Sequence, residues 1–251
     1  MRKELYDMRI RALALFFLML ALFFAIAPFQ DYAVGTLRSL EGSSGEFMGK
    51  YIDREYVEQL TNWSFYMYSQ WFGKNFGQLV PIIAIVLAFP LFSRESENGT
   101  LEFLLVRQSR LRVFMNKSFT GLLALVSIIV ILSFLPILYS FVTGKEFVNE
   151  YVPQFMIFAL VGGLLWYSVT LIFSVVFNDQ VKPILASLGA LVLTTVLGLL
   201  RPLRYLNTYR YILGVDIFSG GDMDILYTVS LLLVSGFLLF ISYEIFNHKE
   251  I

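Results

Sequence analysis

The residues of this chain whose types and spacing suggest chemistry are one serine motif, one histidine, two glycine-rich stretches and a group of glutamates. Gly42-Ser43-Ser44-Gly45 has the G-x-S-G spacing of a membrane-embedded serine nucleophile, which needs a histidine base beside it. The chain has a single histidine, His248, in a polar tail, and the serine sits among small polar residues typical of a linker. Ser219-Gly220-Gly221-Asp222 falls one glycine short of a G-x-G-D motif, and no apolar run supplies a second aspartate. Gly45 to Lys50 (GEFMGK) lacks the spacing of a phosphate-cradling loop and is followed by Tyr51. Cysteine is absent, which removes disulfides, thiolate metal sites and a cysteine nucleophile. One histidine without a carboxylate cluster makes no metal site of three or four ligands. Glu95, Glu97 and Glu102 read as metal or acid–base carboxylates, as a solvated helix start, or as contacts for a partner. The chain names no catalytic residue and no substrate-binding residue.

Those glutamates belong to the densest polar segment flanked by apolar sequence, Ser93 to Lys117. Acids come first and bases follow (Arg107, Arg110, Arg112, Lys117), an order that suits the partial charges at the two ends of a short helix. Leu101, Leu104 and Leu105 fall at i, i+3 and i+4, on one helical face. Asn98-Gly99-Thr100 is a turn that starts such a helix, with the Thr100 hydroxyl as its N-cap. The apolar face of an amphipathic helix in a membrane loop must press on lipid or on a protein.

Arg94-Glu95, Glu97, Gly99-Thr100-Leu101-Glu102, Leu104-Leu105, Ser109-Arg110 and Lys117 together resemble the cytoplasmic signature of ABC-2 type transporter permeases. The opening Lys3-Glu4-Leu5 and Arg9 resemble that family's N-terminal elbow helix. The resemblance implies that residues 93–117 form a coupling helix, with Arg107 and Arg110 at its basic end, contacting an ABC ATPase subunit. It implies ATP-driven export, with ATP and Mg held by that partner and no cofactor on this chain. It also implies a second permease copy, as a homodimer. Many members carry a proline between the leucine pair and the Ser-Arg; this chain has Gln108.

Composition supports a bilayer environment independently. Of 251 residues, 57% are hydrophobic and 15% charged, with a mean hydropathy of +0.70. A soluble domain carries about 25% charge. Net charge is zero and there is no basic stripe, which argues against a nucleic-acid partner. Apolar runs occupy 12–29, 76–92, 118–142, 153–177, 183–200 and 225–246. Ala25-Ile26-Ala27 mimics a leader cleavage site, but the first run is longer than a leader core and reads as a retained span. Residues 30–75 read as a long extracytoplasmic loop whose aromatic later half has the composition of a headgroup-level helix. Pro81 and Pro90 predict a kinked second span whose freed carbonyls need other donors. Residues 201–224 read as a re-entrant or interfacial piece.

The fold class expected is an all-α membrane protein: six transmembrane helices, an N-terminal amphipathic elbow helix and a cytoplasmic coupling helix, in one transmembrane domain. With both termini cytoplasmic in the cell membrane, the inside segments hold 11 of the 19 Lys and Arg in roughly half the length of the outside ones. Asn98-Gly99-Thr100 is then an inner sequon and Asn62-Trp63-Ser64 an outer one. No charged residue lies deep in any run, and a charge at the bilayer centre costs at least about 2.5–3.5 kcal/mol. Ion-coupled carriers need such groups, so the driving force comes from another subunit. In the fifth run Ala186, Ala190, Thr194 and Gly198 recur every four residues, a stripe for close helix packing within the bundle or at a dimer contact. Gly162, Trp166, Thr170 and Ser174 form a weaker one. The competing function from another class is a membrane scaffold or assembly factor without a transport cycle.

Overall fold

A computed structural model describes the backbone of residues 2–43, 58–218 and 221–249, and the side chains of 6, 8–36, 58–217 and 221–249. The Gly45–Lys50 stretch, part of the Gly42–Gly45 motif, part of the Ser219–Asp222 motif, and the side chains of Lys3, Glu4 and Leu5 lie outside those residues. The described elements are helical throughout. In chain order they are α1 (Arg2–Ile26), α2 (Gln30–Ser43), α3 (Trp63–Glu97), α4 (Leu101–Arg107), α5 (Arg110–Thr143), α6 (Val152–Val176), α7 (Val181–Leu197), α8 (Thr208–Ile212), α9 (Val215–Phe218) and α10 (Ile225–His248).

Among the described residues, five stretches are long and apolar enough to cross a membrane: Met8–Thr36, Trp63–Glu97, Arg110–Thr143, Val152–Val176 and Ile225–His248. The fifth apolar run forms α7, whose 17 residues rise about 25 Å against a hydrocarbon core of about 30 Å. α1 winds without a break from Arg2, so the N-terminal piece continues the first span and is not a separate elbow.

The second span is longer than its apolar run. Trp63 to Phe76, expected in the loop, is wound as the first half of α3, with π-helical turns over Tyr68–Phe76. Its aromatics are core residues and not headgroup anchors: Trp71 and Phe76 are fully buried, and their rings stack at 5.4 Å. The i, i+3, i+4 spacing of Tyr68, Trp71 and Phe72 is the same for either environment, which is why the sequence did not separate them. Trp71 also does specific hydrogen-bond work. Pro136 inside α5 has no N–H, which frees the Leu132 carbonyl, and the Trp71 indole N–H donates to that carbonyl at 3.2 Å.

α6 is the axis of the bundle. It packs against α3, α5, α7, α8 and α10, and is apolar nearly all round, as a mostly buried helix must be. Its stripe of Gly162, Trp166, Thr170 and Ser174 is wholly buried. A Cβ at Gly162 would lie 2.3 Å from the Ile212 Cγ1, so only glycine lets α8 approach. The Trp166 indole donates to Thr208 Oγ1 at 3.0 Å, and the Tyr209 hydroxyl donates to the Gln78 carbonyl at 3.3 Å. Trp166 is about 21 Å along α6 from Val152, so α8 packs against the middle of α6.

Candidate functional site

The polar segment between the second and third apolar runs is built from the end of α3, a turn, α4 and the start of α5. α3 stops because Gly99 adopts φ +63°, the left-handed conformation that costs glycine least. The Gly99 N–H then bonds the Ser96 carbonyl at 3.2 Å and the Thr100 N–H bonds the Glu95 carbonyl at 2.9 Å. These are the two bonds of a Schellman stop. Arg94, Glu95 and Glu97 therefore belong to the last turns of the spanning helix, and not to a separate coupling helix.

The glutamates divide by environment. Glu95 is buried and accepts from the Lys117 ammonium at 3.2 Å, joining α3 to α5. Lys117 is 2% exposed, two turns into α5. The Thr100 hydroxyl donates to the same Glu95 carboxylate and leaves the first turn of α4 without a side-chain cap. The expected N-cap role of Thr100 is therefore replaced by a cross-brace. Glu97 is exposed and accepts from the Gln180 amide at 2.7 Å, reaching the turn between α6 and α7. Glu102 is exposed on α4.

Arg110 is also engaged within the chain. Its guanidinium donates to the carbonyls of Phe246, Asn247 and Lys249 at 2.9, 3.1 and 2.8 Å, capping the end of α10. The Lys249 ammonium does the same for α6, donating to the Val175 carbonyl at 2.7 Å, and partial burial lowers its pKa. Across this end of the bundle α3, α5, α6, α7 and α10 are tied to the polar segment.

α4 presents a different face from the one its leucines suggested. Leu101 is buried, and Leu104 and Leu105 are half-buried against the core. Phe103 is 73% exposed and Val106 86%, with Glu102 and Arg107 beside them. Five of the seven residues of α4 are apolar, so periodicity alone does not choose between the faces. α4 ends at Gln108, whose backbone is extended at φ −141° and whose N–H bonds the Leu104 carbonyl at 3.0 Å. A proline there would lose that bond and lock φ near −65°. Ser109 then caps α5 by accepting from the Arg112 N–H at 3.4 Å.

The second set of candidate residues lies apart, on α7. Ala186, Ala190 and Thr194 are half-buried along the flank of α7, whose buried face is Pro183, Ser187 and Leu191. Gly198 is used inside the chain, where a Cβ would meet Asn207 at 2.3 Å.

Comparison with protein families matches residues 1–244 to the family described as ABC-2 family transporter protein. The chain belongs to the ABC-2 transporter family. Membership makes it a membrane transport component that is not itself catalytic and implies a partner ATPase. Comparisons with curated proteins and with solved structures each found no match. Within the ABC-2 framework, sequence reasoning had passed over Phe103, Val106 and Gln180. The signal for the first two was present as apolar residues in a charged segment, but the leucines drew the assignment.

Proposed function

We propose that this chain is the permease subunit of an ATP-driven ABC exporter in the cell membrane, with both termini cytoplasmic, and that α4 is the element on which the ATPase bears. The observation that carries the reading is the division of α4 into two faces. Leu101 anchors it inward while Phe103 and Val106 stand uncovered between Glu102 and Arg107. An apolar pair ringed by charge has the composition of an interface core with a polar rim.

The same geometry supplies a transmission path. A push on α4 reaches α3 through Thr100 and Glu95, and reaches α5 through Glu95 and Lys117. Arg110 carries it to α10, and the Glu97–Gln180 bond carries it to α7. Packed elements joined in this way switch between discrete arrangements and do not deform smoothly. ATP and Mg act on the partner subunit, and this chain converts the closure of the ATPase into movement of its spans. A second copy of the permease completes the pathway, with the Ala186–Ala190–Thr194 flank of α7 as its contact.

The test is a reconstituted complex carrying Glu102→Arg or Val106→Asp. Each should reduce transport at least about tenfold, the consequence of losing 1.4 kcal/mol or more at the contact, while the permease stays folded in the membrane. Transport at the unaltered rate would refute the role of α4, as would co-purification without any ATPase, which is what a scaffold predicts.

A further inference from the structure

At the end of the bundle away from α4, the 3-10 turn Arg201–Leu206, α8, α9 and the first turn of α10 enclose a polar cavity of about 140 Å³. Its volume is well below the roughly 300–1,000 Å³ of sites that hold a whole drug-sized molecule. Six lining residues carry its chemistry: Arg204, Arg210, Asp216, Asp224, Tyr205 and Tyr227.

The two signs of charge are only loosely paired. Arg210 and Asp216 approach to 3.7 Å, both more than half exposed. The Arg204 guanidinium donates to the Tyr205 hydroxyl at 2.8 Å, and it has no carboxylate within ion-pair distance among the described residues. Asp224 spends one oxygen on the Tyr227 N–H at 2.9 Å, leaving the other for a ligand. The rings of Tyr205 and Tyr227 lie 6.0 Å apart, tied by the Tyr227 hydroxyl donating to the Tyr205 carbonyl at 2.7 Å. Guanidinium forks match phosphate oxygens, whereas carboxylates beside aromatic faces match an ammonium group. Immediately flanking the cavity, Leu199, Leu200, Ile225 and Leu226 are all more than half exposed, an apolar surface beside a polar cavity.

We propose that this cavity binds the zwitterionic phospho-ammonium headgroup of a lipid, with the phosphate on Arg204, the ammonium between Asp224 and the Tyr227 ring, and the acyl chains along the leucine flank. Two guanidiniums and two carboxylates give the lining residues no net charge, which favours a zwitterion over an anion. The site stands on the fold alone. The coupling assignment adds only that the site faces the outer leaflet, and a failure of either leaves the other intact.

The test uses the full chain in maltoside micelles, without an ATPase. Dioleoyl phosphatidylethanolamine and dioleoyl phosphatidylglycerol are titrated by native mass spectrometry, and glycerophosphoethanolamine and inorganic phosphate by calorimetry. Phosphatidylethanolamine should bind about tenfold tighter than phosphatidylglycerol, and Arg204→Gln should remove about tenfold of its affinity. Asp224→Asn keeps the helix cap, because asparagine caps as well as aspartate, and should weaken phosphatidylethanolamine while leaving phosphatidylglycerol unchanged. Equal or tighter binding of phosphatidylglycerol overturns the proposal in favour of an anion site. Glycerophosphoethanolamine or inorganic phosphate binding as tightly as the lipid overturns it in favour of a soluble solute. Unchanged affinity in a folded Arg204→Gln protein overturns it outright.

Discussion

Removing either Lys117 or Glu95 would deprive the other of its ion-pair partner inside the bundle. Breaking a buried pair from one side costs about 3–5 kcal/mol, whereas replacing both partners with uncharged residues is often nearly neutral. Lys117→Met and Glu95→Gln should therefore each lower the unfolding midpoint in detergent, and the double variant should be more stable than Lys117→Met alone. A double variant whose loss equals the sum of the singles would show that the two side chains act independently. Gly99→Ala should cost about 1–2 kcal/mol by the same measurement, because its φ of +63° crowds a Cβ. The order of charges in this segment was legible from the sequence. The inward turn of Glu95 was not, since its partner is 22 residues away and three glutamates of one type differ only in what they meet.

α4 and α8 carry the predictions at the level of the element. Val106 has 86% of its surface free, so Val106→Asp should change stability by no more than about 0.5 kcal/mol while uncoupling transport. Leu104→Asp drives a carboxylate against the core and should lower stability as well, measurable as an earlier unfolding midpoint. If both variants behaved alike, the two faces of α4 would not be distinct. At α8, Gly162→Ala forces a methyl onto Ile212 and should cost about 1–3 kcal/mol, and Ile212→Ala in the same chain should restore part of it. No recovery in the double variant would mean that the clash is elsewhere. Sequence periodicity found α4 and the aromatic first half of α3 but not their facing. A short helix with five apolar residues has no unique apolar side, and the aromatics of 68–76 fit lipid headgroups and a protein core equally well.

Across the whole molecule, all six apolar runs were legible because long uncharged stretches have few other uses. Five became helices of spanning length, and the fifth run, 183–200, fell short because its chain turns back into the bundle through α8. That return depends on Gly162 and Thr208 meeting residues far away in sequence, which no local pattern announces. Family membership implies a partner ATPase, and the proposed contact is α4. The most direct measurement replaces single residues with a photo-crosslinking amino acid in native membranes. Val106 reports the exposed face of α4, and Phe141 reports the far end of α5, where it is equally exposed. The account predicts an adduct with a Walker-motif ATPase subunit from position 106 and none from position 141. An adduct from 141, or none from 106, would contradict it.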